Sequence, residues 1–196
     1  MKLICKNTII EIENLFLIIL ISFLFSDKIK MFLTSYYMCY LFITFHELSH
    51  ILIASIFGKK IRKIKLSIAG VCVNFFEYKD IKYLKNICIY MAGPLSNVLF
   101  AFIFKNINFI FEINIFLSVL NLMPVFPLDG YHIINETVSV FNENIRGFII
   151  NTIQIVVLLL LFFMSLVVII NTFNPSLLIF FCYVLLIKYA AKNRKK

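Results

Sequence analysis

Two histidines and a glutamate in one short segment are the residues of this chain best suited to metal chemistry. They belong to the pentapeptide HELSH, in which His46 and His50 are four residues apart and Glu47 follows the first histidine. On a helix, side chains at this spacing project from one face, which is the geometry that two imidazoles need to hold one zinc ion. Glu47 is placed to act as general base on a zinc-bound water. The spacing therefore predicts a zinc site with hydrolytic chemistry.

The surroundings of the HELSH segment indicate where this chemistry takes place. The segment lies in an apolar run at residues 31–57, and it contains the only side chains of that run that are charged or readily protonated near neutral pH. Such groups are costly to place in lipid and are rare there unless they serve a function. We therefore predict zinc chemistry within the bilayer.

The composition indicates an integral membrane protein independently of the motif. Of the 196 residues, 62% are hydrophobic and 15% are charged, and the mean hydropathy is +0.96. This apolar share is far above that of soluble domains. The net charge of +9 comes from Lys and Arg residues that flank the apolar segments, as topology signals do, so we expect no nucleic-acid partner. The five cysteines are scattered and predict no disulfide framework.

Six apolar segments predict an all-α membrane protein with about six transmembrane helices, forming a single domain over residues 1–196. A crossing takes about 20 residues. Basic residues concentrate at the N-terminus, in the 58–86 connection and in the C-terminal tail, which places both termini and this connection in the cytoplasm. The segments lie at about residues 9–25, 31–57, 87–104, 107–126, 148–170 and 173–189.

The connection after the HELSH segment has a pattern typical of two short strands. Apolar residues, many of them β-branched, alternate in part on either side of Gly70 over residues 64–76. We therefore predict a small β-hairpin directly after the helix that carries the histidines. A basic interfacial loop with short hydrophobic stretches is an equally good interpretation of these residues.

A catalytic zinc ion usually needs a third protein ligand, and the best candidate is Asp129. It belongs to the run NLMPVFPLDG, residues 121–130, whose two prolines interrupt helical backbone. Irregular backbone at membrane depth is tolerated where it is buried in protein or lines a polar cavity. The predicted topology brings Asp129 and His50 to the cytoplasmic part of the bilayer, with His50 about 10 Å from the end of its segment.

Three other residues are weaker candidates for the third ligand. His132 follows Asp129 by three residues and could coordinate zinc if a helix begins there. Glu112 lies near the outer end of its segment, and we expect it to form interfacial or interhelical hydrogen bonds. Cys39 could share a helix face with His46, but its expected role is that of a small apolar packing residue.

Three motifs together resemble those of the site-2 protease family of intramembrane zinc metalloproteases. HELSH lies within a membrane segment, AGPLSN follows at residues 92–97, and NLMPVFPLDG comes third, as in that family. The resemblance covers roughly residues 30–135. HExxH alone is a weak signal, whereas the three motifs in this order are a strong one.

The resemblance implies a role for each residue of the site. It implies that His46, His50 and Asp129 bind one Zn²⁺ per chain and that Glu47 is the catalytic base. It also implies that Asn121 positions the substrate or stabilises the oxyanion. The hairpin after the HELSH helix would help to present an extended substrate.

The resemblance also implies a substrate class. The compact core and the spacing of the motifs are most similar to stage IV sporulation protein FB, a group that processes a membrane-associated pro-sigma-K factor in endospore-forming bacteria. We therefore expect a protein substrate with a membrane-associated segment, inhibitory membrane regulators as partners, a capacity for homo-oligomers, and a location in the bacterial membrane around the forespore.

Two features depart from that group, and two other functions stay open. The chain stops shortly after the sixth segment, where many members have a cytoplasmic CBS domain, and Tyr131 stands where the family often has a second glycine. The same chemistry could act on another membrane-tethered regulator or precursor. The chain could also be a metal-binding membrane protein without hydrolysis. Glu47 favours an enzyme, because a carrier does not need an acid beside the first histidine.

Overall fold

Helices make up most of the structure, which is a computed structural model that describes residues 2–5, 8–12, 27–67, 70–75, 83–141 and 144–193. The helices are α1 (Asp27–Ile56), α2 (Tyr83–Ile103), α3 (Asn108–Asn121), α4 (Asp129–Phe141), α5 (Arg146–Thr172) and α6 (Ser176–Asn193). The strands are β1 (Lys2–Cys5), β2 (Thr8–Ile12), β3 (Ile61–Ser67) and β4 (Gly70–Phe75). The chain forms two compact units, Met1–Val119 and Leu120–Lys196. The single domain over residues 1–196 stays a prediction.

Three of the described helices are long and apolar enough to cross a membrane. They are Thr34–Ile56 within α1, the whole of α2, and α5, with 23, 21 and 27 residues. Two shorter apolar helices, α3 and Ser176–Tyr189 within α6, accompany them. The predicted helical membrane protein is thus confirmed, but the predicted number of about six spans is not exact.

Two predicted boundaries need correction. Residues 9–12 of the first predicted segment lie in β2 rather than in a helix, and residues 13–25 lie outside the part of the chain that the structure describes. A helix, α4, also occupies most of the connection between the fourth and fifth segments. Its apolar residues alternate with Asn, Glu, Thr and Ser, so an overall hydropathy pattern does not reveal it.

The helix α1 continues without interruption because it contains neither Gly nor Pro. All its interior backbone groups can bond within the helix, as a lipid environment requires. It ends before Gly58, whose φ of 78° lies in the left-handed region that glycine adopts at little cost. The amides of Gly58 and Lys59 then bond the carbonyls of Ser55 and Ala54, both at 2.9 Å. The chain therefore turns sharply from α1 into β3.

The predicted hairpin after α1 is present. The strands β3 and β4 pair antiparallel, with Ser67 opposite Gly70 and Ile64 opposite Val73. The sequence did not predict that β1 and β2 extend this hairpin to four strands in the order β1-β2-β3-β4. The strand β2 runs parallel to β3, and Lys63 forms an ion pair of 2.5 Å with Glu11. In this described sheet, β4 is an edge strand.

The helices α1 and α2 pack antiparallel. Near one end the rings of Phe42 and Phe100 lie 5.7 Å apart, and at the other end Lys59 Nζ donates to Asn86 Oδ1 at 2.8 Å. Residues four positions apart share a helix face, so each helix contributes one continuous stripe to the contact. The buried stripes are Phe42, His46, His50 and Ala54 on α1, and Ile89, Gly93, Asn97 and Ala101 on α2. Small residues in both stripes let the backbones approach closely.

The second unit has an apolar core of its own. Val125, Leu158 and Val184 are buried together, and Phe180 and Phe181 pack against them. These residues come from the Pro-rich segment before α4 and from α5 and α6. The core therefore holds the segment that precedes Asp129 against two apolar helices.

Candidate metal centre

The two imidazoles of the HELSH segment face each other on the buried side of α1. His46 and His50 are only 4% and 6% exposed, and their Nε2 atoms lie 3.1 Å apart. Glu47 is half-buried beside them. One potential ligand atom from each of the three residues lies within 4.8 Å of the others. Among the described residues, this is the group of His, Cys, Asp and Glu side chains that is close enough to hold a metal ion.

The backbone of α2 holds the ring of His50. Its Nδ1 lies 2.7 Å from the carbonyl oxygen of Ile89. A carbonyl can only accept, so Nδ1 carries the hydrogen and donates it. The neutral ring then has its lone pair on Nε2, which faces His46. An outer hydrogen bond of this kind is the usual companion of a metal-binding imidazole.

A side chain of α2 contacts the outer nitrogen of His46. The amide nitrogen Nδ2 of Asn97 lies 3.1 Å from His46 Nδ1. Asn97 is fully buried, and its Oδ1 has no hydrogen-bond partner among the described residues. Both outer nitrogens of the histidine pair are therefore held by groups of α2, one by backbone and one by a side chain.

Gly93 leaves the space that the two inner nitrogens face. A Cβ built on Gly93 would lie 2.5 Å from His46 Nε2 and in still closer contact with His50 Nε2. Any side chain here would displace the imidazoles, so only glycine fits without movement. The backbone of α2 thus forms a cradle around the two Nε2 atoms, which are the nitrogens placed to face a metal ion. A borderline-soft divalent ion such as Zn²⁺ suits this donor set, and the site fits it.

Asn121 and Asp129 lie in the second unit, on either side of the Pro-rich segment. Asn121 is half-buried at the end of α3, and Asp129 is half-buried at the first position of α4. Backbone hydrogen bonds keep the segment compact, with Val125 N bonding Met123 O at 2.8 Å and Leu128 N bonding Val125 O at 2.9 Å. Asp129 as a third ligand and Asn121 as a substrate-positioning residue both stay predictions.

Gly130 fixes the start of α4 against this segment. A Cβ at Gly130 would overlap the carbonyl of Leu122 and lie 2.6 Å from Met123 O. The glycine of the LDG sequence is therefore required by close packing, and it sets the position of Asp129 within the second unit. Tyr131, the departure from the family pattern, stacks edge-on against Phe126 with the ring centroids 5.5 Å apart.

The weaker candidates for the third ligand have other surroundings. His132 has its ring 6.3 Å from that of Phe126 and 5.1 Å from that of Tyr131, within an aromatic group. Glu112 is exposed on α3, and Cys39 is half-buried on α1.

Sequence reasoning missed the residues of α2 that hold the histidines. AGPLSN indicated only close packing of small residues, although it contains both Gly93 and Asn97. The available signal was their spacing. Ile89, Gly93 and Asn97 follow one another at intervals of four, as His46 and His50 do, so two antiparallel helices can match them position for position.

Comparisons with known proteins agree with this fold and donor set. Residues 14–128 match the peptidase M50B-like family. A zinc metalloprotease of Methanocaldococcus jannaschii is 29% identical over 140 residues, which cover 64% of this chain and 40% of that protein. The chain therefore spans less than half the length of this curated relative.

A solved structure shows the same overall fold. The site-2 protease from Methanocaldococcus jannaschii superposes with a TM-score of 0.62 at 21% sequence identity, and the match covers 94% of this chain and 91% of that one. The family match covers more than half of the chain, including HELSH, AGPLSN and most of NLMPVFPLDG. The chain belongs to the peptidase M50B-like family, which comprises intramembrane zinc metalloproteases of the site-2 protease type.

Proposed function

We propose that this chain is an intramembrane zinc endopeptidase that cleaves a peptide bond in a membrane-associated protein. One observation carries the proposal: two buried imidazoles share a cradle in the middle of an apolar helix, with an acid beside them. Family membership favours a hydrolytic role for these residues over a packing role.

The chain supplies the ligands and the acid–base group of this reaction. His46 and His50 would hold the zinc through their Nε2 atoms, with Asp129 as the proposed third ligand. When bound there, zinc would supply Lewis-acid chemistry toward the peptide carbonyl and toward water. Glu47 removes a proton from the attacking water and later delivers it to the leaving amine. Asn121 positions the substrate or donates a hydrogen bond to the developing oxyanion.

The sheet after α1 offers a means of holding an extended substrate. The strand β4 lies at one edge of the described sheet, so one side of its backbone can pair with an added strand. The sharp turn at Gly58 joins the sheet directly to the end of α1, the helix that carries the histidines. Backbone pairing suits a protease whose substrates are unwound locally before cleavage, because backbone hydrogen bonds form with little dependence on the side chains of the substrate.

The substrate is proposed to be a pro-sigma-K-like protein processed during sporulation. This assignment rests on the similarity of the three motifs to the sporulation group. It implies a bacterial membrane around the forespore and inhibitory membrane regulators as partners. The distribution of basic residues favours both termini in the cytoplasm, and homo-oligomers are compatible with this function. A different membrane-tethered regulator or precursor is the second candidate, since the same site would cleave it by the same chemistry.

Co-expression with a pro-sigma-K-like substrate tests both the enzyme and the substrate. Glu47→Gln should retain its zinc and reduce cleavage by roughly 10²–10⁴-fold, because the acid–base group is lost while the ligands remain. Glu112→Gln, a change at an exposed acid of α3, is the matched control and should cleave as the unaltered protein does.

The outcomes separate the candidate functions. Cleavage by Glu47→Gln would refute the catalytic assignment. Zinc binding without cleavage of any membrane-tethered substrate by the unaltered protein would favour a metal-binding protein without hydrolysis. Cleavage of a different membrane-tethered precursor, but not of the pro-sigma-K-like protein, would replace the sporulation substrate and keep the enzyme.

A further inference from the structure

The hydrogen bonds around the histidines form one continuous chain between two points on α2. His50 Nδ1 donates to Ile89 O at 2.7 Å, so His50 Nε2 has no hydrogen and accepts. His46 Nε2 lies 3.1 Å from it and must therefore donate. His46 Nδ1 then has a lone pair and accepts from the amide nitrogen of Asn97 at 3.1 Å. These three contacts together are compatible with hydrogen on Nδ1 of His50 and on Nε2 of His46.

Metal binding requires the other tautomer of His46. A metal held by both Nε2 atoms needs a lone pair on each, so the proton between them must leave His46 Nε2. The neutral ring then has its hydrogen on Nδ1, which faces Asn97. The amide nitrogen of Asn97 cannot accept this hydrogen, because an amide NH₂ group only donates.

Asn97 can meet both requirements because its amide has a donor and an acceptor. Its Oδ1 is buried and has no hydrogen-bond partner among the described residues. Turning the amide by half a revolution places Oδ1 where Nδ2 lies, within hydrogen-bond distance of His46 Nδ1. In either orientation, one of the two amide atoms of Asn97 has a hydrogen-bond partner and the other does not. The tautomer of His46 therefore decides which orientation is favoured.

We infer that Asn97 is a positioning residue for zinc, whose Oδ1 accepts the Nδ1 hydrogen of His46 and thereby directs the Nε2 lone pair toward the metal. Its amide turns between two orientations as His46 changes tautomer. The carbonyl oxygen of Ile89 likewise accepts the Nδ1 hydrogen of His50. A backbone carbonyl has no donor, so it can hold only this one tautomer of His50. The inference deepens the proposed function, because it rests on His46 and His50 as zinc ligands.

Three variants in the full chain test this role, with zinc as the probe. Asn97→Leu removes both amide functions while keeping the number and branching of the side-chain heavy atoms, and it should weaken zinc binding roughly 10–100-fold, the usual effect of losing an outer hydrogen bond at a metal site. Asn97→Asp keeps an acceptor and should retain at least the affinity of the unaltered protein. Asn114→Leu is the control, because Asn114 is equally buried and its amide donates within its own helix, to Ile110 O at 2.9 Å.

The tautomer of His46 gives a readout that a purely structural role would not change. Nitrogen-15 chemical shifts of the imidazoles, measured on zinc-free protein in detergent, should show hydrogen on Nε2 of His46 in the unaltered protein and in Asn114→Leu. Asn97→Asp should move the hydrogen to Nδ1, as zinc should in the unaltered protein. Affinities are measured by competition with a chelator, on samples whose folding is checked by thermal unfolding.

The results distinguish this inference from the proposed function. Equal zinc affinity in Asn97→Leu and the unaltered protein would overturn the role of Asn97, and so would an equal loss in Asn97→Leu and Asn97→Asp. If Asn97→Leu does not fold, Asn97→Asp and the chemical shifts still decide. An unaltered protein that binds no zinc would instead refute the proposed function.

Discussion

At the scale of the residue, the site depends on what α2 presents to the two imidazoles. Gly93 leaves space, Ile89 provides a carbonyl, and Asn97 provides an amide, all within one buried stripe. Gly93 leaves room for both imidazole rings, Ile89 orients the ring of His50, and Asn97 contacts the ring of His46. The HELSH motif thus supplies the donors, and α2 sets where their lone pairs point.

Gly93→Ala should remove zinc binding while the protein still folds. The added Cβ would clash with both Nε2 atoms, and the cost of such overpacking is about 1–3 kcal/mol of unfolding free energy. Metal content of the purified protein and its thermal unfolding in detergent measure the two effects. Gly147→Ala is the control, because a Cβ there meets nothing within 4 Å and should change stability by less than about 1 kcal/mol. Full zinc occupancy in Gly93→Ala would contradict the cradle.

Asp129→Ala should weaken both zinc binding and cleavage, because a third ligand contributes to affinity and to the chemistry. This pattern differs from that of Glu47→Gln, in which zinc is retained. Chelator competition and the cleavage assay together separate the two. Asp129→Ala with normal zinc affinity would remove Asp129 from the ligand set, and His132→Ala would then be the variant to test.

At the scale of the element, we propose that β4 holds the substrate and that α1 holds the metal. Val73→Pro should reduce cleavage while leaving zinc content unchanged, because proline in β4 removes a backbone donor and disturbs an edge that pairs with an extended chain. The loss should be roughly tenfold if one or two substrate hydrogen bonds are lost. Val73→Ile keeps the strand and is the control. Unchanged cleavage by Val73→Pro would exclude β4 as the substrate-binding edge.

At the scale of the whole molecule, topology is the property that most needs a direct measurement. Basic residues flank the apolar helices, and on the positive-inside rule we propose that both termini lie in the cytoplasm. A C-terminal fusion to a reporter that is active only in the cytoplasm should therefore be active, and a fusion to one that is active only outside should be silent. The reverse pattern would move the metal centre to the other side of the bilayer and would exclude a cytoplasmic substrate.

The helical membrane fold and the hairpin could be predicted because their signals are local. High hydropathy over about 20 residues indicates a helix that faces lipid. Partial alternation of apolar and polar residues on either side of Gly70 indicates strands. The first predicted segment shows the limit of such signals. Three of the residues 9–12 are isoleucines and fall within that predicted span, but these residues pair with β3, about 50 residues later in the chain. Pairing at that distance leaves no trace in local composition.

The chemistry of the site is where sequence and tertiary structure divide most clearly. Residue types and helical spacing by themselves determined that His46 and His50 share a face, that Glu47 accompanies them, and that the whole lies in an apolar segment. Only the packing of α1 against α2 decided which nitrogen of each ring faces inward, because the groups that hold the rings, Ile89 and Asn97, lie about 40–50 residues away. A tautomer depends on a hydrogen-bond partner, and that partner is chosen by the packing of two helices.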